Sequence, residues 1–221
     1  MKNFTLHQLS LIEDKLRNIT WENYFFNQLT LSDLKVTNLD PQYGPDGWPY
    51  LFAETVDREG TESFQKVLNW LVQRGIGLVI NANKKMPDYI FTYGMLWHFK
   101  ETGLFYLNNI EVSKTMAEAE YLDFSNKELL MHGCPTEAYL PLYVRKIIKE
   151  FFQQQGIIAP RILMISREPN KFDLVFSLES LGSPPQKEHQ GICEAISWFL
   201  PPHYSIMISS EKALPRFYTL D

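Results

Sequence analysis

Apolar residues recur three and four positions apart through Leu140, Tyr143, Val144, Ile147, Ile148, Phe151 and Phe152. Arg145, Lys146, Lys149, Glu150, Gln153 and Gln154 fall between them, and Gly156 follows. This spacing predicts a long amphipathic helix with its charged residues facing solvent and a glycine stop. Beyond it, Arg161 to Ser166 and Phe172 to Leu178 read as strands joined at Glu168-Pro169-Asn170-Lys171, with proline where a type I turn favours it. In the second strand Phe172, Leu174, Phe176 and Leu178 alternate with Asp173, Val175 and Ser177, which predicts one core face and one mixed face. A helix then carries Ile192, Ala195, Ile196 and Phe199 between two proline pairs. Tyr204, Ile206 and Ile208 alternate as a last strand ahead of the tail Leu214-Pro215-Arg216-Phe217-Tyr218. The C-terminal unit is therefore expected to be α-β-β-α-β.

The N-terminal part has a different rhythm. Thr5-Leu6-His7-Gln8 fits a capping box, and Leu6, Leu9, Ile12, Leu16 and Ile19 follow at helical spacing. One amphipathic helix ending near Asn18 is expected. Leu29 to Asn38 is ambiguous between strand and loop. Tyr50 to Val56 reads as a strand, and Asp57 to Gly60 as a turn. Thr61 is placed to cap a helix with Phe64, Val67, Leu68 and Leu71 on one stripe and Gly75 as its stop. Ile76 to Ile80 reads as a buried strand, Asp88 to Phe91 as extended, Met95 to Thr102 as helix and Leu104 to Leu107 as a further strand. Residues 111–136 carry the weakest pattern, with helix formers at Ser113 to Glu120 and Lys127 to Met131. The expected class is α+β with mixed sheets flanked by helices. Its domains are expected at 1–125 and 126–221, two units that can also pack as one globule.

In the C-terminal third, Leu140-Pro141 through Gly156, Arg161 to Ile165 and Leu174 to Glu179 resemble the C-terminal domain of SseB-type (enhanced serine sensitivity) bacterial proteins. The resemblance covers about a third of the chain. It implies a bacterial α+β domain and no catalytic residue, because none of the matching positions is chemically specific.

Asp40-Pro41-Gln42-Tyr43-Gly44-Pro45-Asp46-Gly47-Trp48-Pro49-Tyr50 interrupts all periodicity. Its prolines and glycines forbid a regular helix. Its aromatics either pack as a belt on the domain or face a partner. Tyr93-Gly94-Met95-Leu96-Trp97-His98-Phe99 is a second aromatic cluster, whose helical spacing favours core. If Trp97 or Tyr93 shares a surface with Trp48, the pair forms an apolar groove for a peptide or protein, and Tyr43, Trp48, Tyr50 and Trp97 are the candidate binding residues.

Composition narrows the classes. The 221 residues are 45% hydrophobic and carry a net charge of −5, which supports a packed core and gives no basic footprint for nucleic acid. No apolar run approaches the ~18 residues that cross a bilayer, so no membrane insertion is expected. Two cysteines, Cys134 and Cys193, make no disulfide framework, which points to a reducing cytoplasm.

Cys134 in His132-Gly133-Cys134-Pro135-Thr136-Glu137 is the sharpest nucleophile candidate, with His132 or His98 as its base. The five histidines show no metal-ligand spacing, and no cofactor is expected. Asp40, Asp46, Glu54, Asp57 and Glu59 gather near aromatics as glycosidase carboxylates do, although turn chemistry alone accounts for them. Phosphate-cradling glycine loops and G-x-S-x-G are absent from the sequence. The expected function is a cytoplasmic binding or accessory protein that engages another protein. The alternative is a small hydrolase or transferase using Cys134.

Overall fold

A computed structural model describes residues 4–36, 38–57, 61–105, 130–168 and 171–221. The helical patterns at 113–120, the expected domain boundary at 125 and the proline turn at 169–170 lie outside them. So do part of the turn at 57–60 and the second half of the strand expected at 104–107. The chain divides into two units, Met1–Phe105 and Tyr106–Asp221, each with its own mixed sheet, and the class is α+β.

The first unit opens with α1 (Leu6–Ser10), held by the capping box at Thr5: its hydroxyl accepts from the Gln8 amide at 3.2 Å, and its own amide donates to the Gln8 side chain at 3.0 Å. The single long helix expected here is not formed. After a 3-10 turn at Asp14–Leu16, α2 (Ile19–Leu29) starts afresh, with the Asn18 side chain accepting from the amides of Thr20 and Trp21. Asn18 is thus a start signal rather than a stop. The break leaves Leu16 and Ile19 exposed and turns Trp21, Phe25, Phe26 and Leu29 inward. Within the ambiguous stretch, β1 (Asp33–Lys35) forms. Then come β2 (Gln42–Tyr43), β3 (Pro49–Thr55), β4 (Glu62–Ser63), α3 (Phe64–Val72), β5 (Gly77–Ile80), β6 (Tyr89–Phe91) and α4 (Tyr93–Thr102). Ser63, not Thr61, is the N-cap of α3, while the Thr61 hydroxyl accepts from the Val36 amide.

The sheet order is β4-β1-β3-β5-β6, with β2 also on β3. β3 and β5 are parallel neighbours, and the other pairs are antiparallel. Rings of Phe26, Phe64, Phe91, Phe99 and Phe105 meet at centroid distances of 4.2–6.1 Å and fill the interior. Aromatic pairs in such arrangements add to the gain from burial alone.

The second unit contains β7 (Met131–Gly133), α5 (Leu142–Gln154), β8 (Arg161–Glu168), β9 (Lys171–Ser177), α6 (Gln186–Ser197), β10 (Ser205–Ser209) and β11 (Tyr218–Thr219). Met131 belongs to a strand rather than to the helical turn expected there. The order is β10-β9-β8-β11, with β7 also on β8. β9 and β10 are parallel, and β8 is antiparallel to β9, β7 and β11. Val144, Ile148 and Phe152 of α5 are buried, and the Phe152 ring lies 5.7 Å from Phe176. The face of β9 expected to be mixed is covered too, because Leu130, Leu214 and Phe217 pack on Leu163, Ile165 and Val175. The central strands β8 and β9 are therefore covered on both faces.

Candidate functional site

Two places warrant examination: the aromatic hairpin of the first unit and a cavity in the second.

The hairpin joins β2 to β3, with Gln42 opposite Tyr50 and Tyr43 opposite Pro49. Its turn closes through the Gly44 amide on the Trp48 carbonyl (2.9 Å) and the Gly47 amide on the Gly44 carbonyl (3.0 Å), with Gly47 at φ +81°. Such a φ suits glycine. Asp46 braces the turn by accepting from the Trp48 amide at 3.1 Å and from the Tyr50 hydroxyl at 2.7 Å. A local carboxylate cap of this kind is ordinary turn chemistry. Tyr43 stands out from the hairpin at 76% exposure, and Trp48 is half-buried.

Two residues expected on this surface belong to the interior. Tyr50 is 4% exposed, and its ring lies so close to Gly77 that a Cβ there would sit 2.5 Å from it. Trp97 is 2% exposed on α4, whose helical period turns Tyr93, Leu96 and Trp97 into the core together. Tyr50 in β3 and both Tyr93 and Trp97 in α4 are buried, so the expected pairing of Trp48 with Trp97 or Tyr93 on an exposed groove is not formed. Tyr43 and Trp48 remain at the hairpin, and Tyr50 and Trp97 anchor the fold.

The second unit holds a cavity of about 480 Å³ lined by Cys134, Arg145, Arg161, Glu211, Asp221 and the 215–219 segment. This volume is in the range of small-molecule sites. Cys134 directly follows β7, and Tyr218 and Thr219 form β11. Both strands pair with the same edge of β8, β7 at Ser166 to Met164 and β11 at Ile162 and Arg161. The edge partner is thus split, and Cys134 and Phe217 flank the break.

The charges around the cavity are unequal. Glu211 is engaged twice, by Arg161 Nη1 at 2.8 Å and by the buried Ser177 hydroxyl. Asp221 meets Lys149 at 3.4 Å. Arg145 is only 7% exposed, yet its guanidinium meets two backbone carbonyls: Nε donates to Leu140 at 2.8 Å, and Nη2 donates to Pro135. Among the described residues, neither Arg145 nor Arg216 has a carboxylate within ion-pair distance. The helical pattern predicts Arg145 on the solvent face of its helix, but the structure buries it. Residue type suggested exposure, but the approach of Pro135 to the first turn of α5 encloses the guanidinium.

Cys134 is exposed at this cavity, and His132 is exposed on β7. Among the described residues, no hydrogen bond joins Cys134 to a histidine. His98 is buried in α4 of the first unit beside Thr102. Cys193 on α6 is half-buried, which pushes its thiol up to about 11, with Glu194 adding to the effect. Among the described residues, no group of three His, Cys, Asp or Glu side chains is arranged to hold a metal ion, and no helix is long and apolar enough to cross a membrane.

Comparison with protein-family models, curated proteins and solved structures finds no match to this chain.

Proposed function

We propose that this protein acts by binding and engages a protein or peptide partner through the Tyr43–Trp48 hairpin. The observation that carries the reading is the 76% exposure of Tyr43 on a turn braced by Asp46. A large aromatic held out on a fixed backbone loses little entropy when it is covered, and such residues anchor many interfaces. A cytoplasmic, accessory role fits the acidic composition and the pair of cysteines. The SseB-type resemblance is compatible with this reading, but it rests on sheet and helix residues and supplies no site.

The alternative, a hydrolase or transferase built on Cys134, requires a general base within hydrogen-bond reach. The described histidines do not supply one, so binding is the better-supported reading.

A photo-crosslinking residue at position 43, introduced in the native cell, captures the partner for identification. Against that purified partner, Trp48→Ala is expected to weaken affinity by about 2 kcal/mol, roughly 30-fold, with the melting temperature nearly unchanged. Unaltered affinity, or a stability loss of about 3–5 kcal/mol as for a core aromatic, would overturn the reading.

A further inference from the structure

Arginine is almost never fully buried unless it is paired. Arg145 is buried, two carbonyls hold its guanidinium in place, and among the described residues no carboxylate neutralises it. The two acids that share its cavity already face Arg161 and Lys149. Arg216, exposed and without a carboxylate in ion-pair distance among the described residues, adds a further cation to the same lining. The lining thus sets three arginines against two acidic side chains, both of them already engaged, on a chain whose formal net charge is −5. Guanidinium presents a planar fork of donors that matches the paired oxygens of phosphate and carboxylate. With Nε and one Nη2 hydrogen committed to carbonyls, Arg145 still has donors for an acceptor in the cavity. The space is far larger than one oxyanion needs. Pro215, Phe217 and Tyr218 supply apolar wall beside the charges.

We propose that this cavity is a binding site for a small organic dianion, whose two negative charges are met by Arg145 and Arg216 and whose body rests on the 215–218 wall. The shared chemistry is two negative charges on oxygen, carried on one phosphoryl group by a phosphomonoester or on two carboxylates by a dicarboxylate. The site is separate from the hairpin and does not depend on the partner-binding reading.

The test uses the full chain in calorimetric titrations at constant ionic strength, with inorganic phosphate and succinate as the two probes. Saturable binding of phosphate alone assigns the phosphomonoester class, and of succinate alone the dicarboxylate class. Either result must be weakened about 10- to 100-fold by Arg216→Ala, the effect of losing one charge-assisted contact. Arg145→Met is expected to abolish binding. Arg216 is exposed, so its variant tests the site even if the Arg145 variant fails to fold. Arg74→Ala removes a surface cation stacked on Trp70, 4.6 Å from its ring centroid, and should leave affinity unchanged. Because Cys134 lines the cavity, the bound probe should also slow its alkylation. Failure of both probes to bind overturns the proposal. So does equal weakening by Arg74→Ala and Arg216→Ala, which would mark nonspecific charge attraction.

Discussion

The two units share a plan. In each, a helix leads into an antiparallel strand pair, and a second helix then returns the chain to a strand parallel to the second of the pair. The elements are α2-β1-β3-α3-β5 in the first unit and α5-β8-β9-α6-β10 in the second, with strand orders β1-β3-β5 and β8-β9-β10. In both, a buried hydroxyl ends the middle strand and meets a polar side chain just beyond its parallel neighbour. Thr55 meets Asn81 at 2.9 Å, and Ser177 meets Glu211.

The two corners differ in what surrounds that contact. In the first unit the polar groups are consumed. Asp88, with a fully buried carboxylate, accepts from Arg17 at 2.7 Å, from Lys84 at 2.7 and 2.8 Å and from Asn81. Arg17 and Lys84 also donate to the Ser10 carbonyl, which ties the α1 end into the corner. Asn81 takes φ +57°, a left-handed conformation that asparagine tolerates better than most residues. In the second unit Arg161 satisfies Glu211, and the guanidinium of Arg145 is left over. A buried polar cluster whose charges meet opposite charges is a fastening, whereas one with surplus charge beside a cavity calls for a ligand. Fold-level likeness does not carry that distinction.

The comparison breaks most visibly at Asp88. Asp88→Ala is expected to cost about 3–5 kcal/mol in denaturant unfolding, because it strands the cations it now neutralises. A loss under about 1 kcal/mol would show that the first corner is not a fastening. The reverse expectation holds for Arg145. Arg145→Met removes a buried charge without a carboxylate and forfeits two carbonyl hydrogen bonds, so ligand-free stability should change by no more than about 1 kcal/mol. A drop as large as that of Asp88→Ala would mean that Arg145 has a protein anion after all. The smallest effect concerns Cys193. Its folded thiol titrates at about 11, above the ordinary thiol range near 8.5. Between those values the unfolded chain binds fewer protons than the folded one, so stability falls as pH rises through the window. Cys193→Ala should flatten that slope, as read by melting temperature against pH.

Much of the second unit was legible because its patterns are long. The Leu140–Phe152 stripe spans more than three turns, and the alternation from Phe172 to Leu178 sets a strand. What escaped depends on contacts distant in sequence. Nothing near Val175 announces that Leu214 and Phe217 will cover its face, and nothing near Arg145 announces Pro135. In the first unit, Leu6, Leu9, Ile12, Leu16 and Ile19 satisfy helical spacing over a stretch the backbone breaks. Asn18 carried the correction, since its side chain caps a following helix as readily as it disrupts a preceding one. Of the site, Tyr43, Trp48 and Cys134 were named from residue type. Helical spacing already favours core for Trp97, whereas nothing in the hairpin's composition says which face Tyr50 takes.

The divided edge of β8 bears on strand-to-strand association between copies of the chain. Unpaired amides and carbonyls along a strand recruit further strands, including those of other copies. Here that hazard is covered by two short pieces, β7 and β11, whose chain positions are far apart. Closing such a long loop is entropically costly, so β11 is the piece expected to dock late and to peel away first. When it does, Arg161 and Ile162 are bared to neighbouring molecules, and Phe217 leaves the apolar cluster it completes. The same short strand therefore guards against aggregation and finishes the wall of the cavity, so whatever occupies the cavity would also hold the sheet shut.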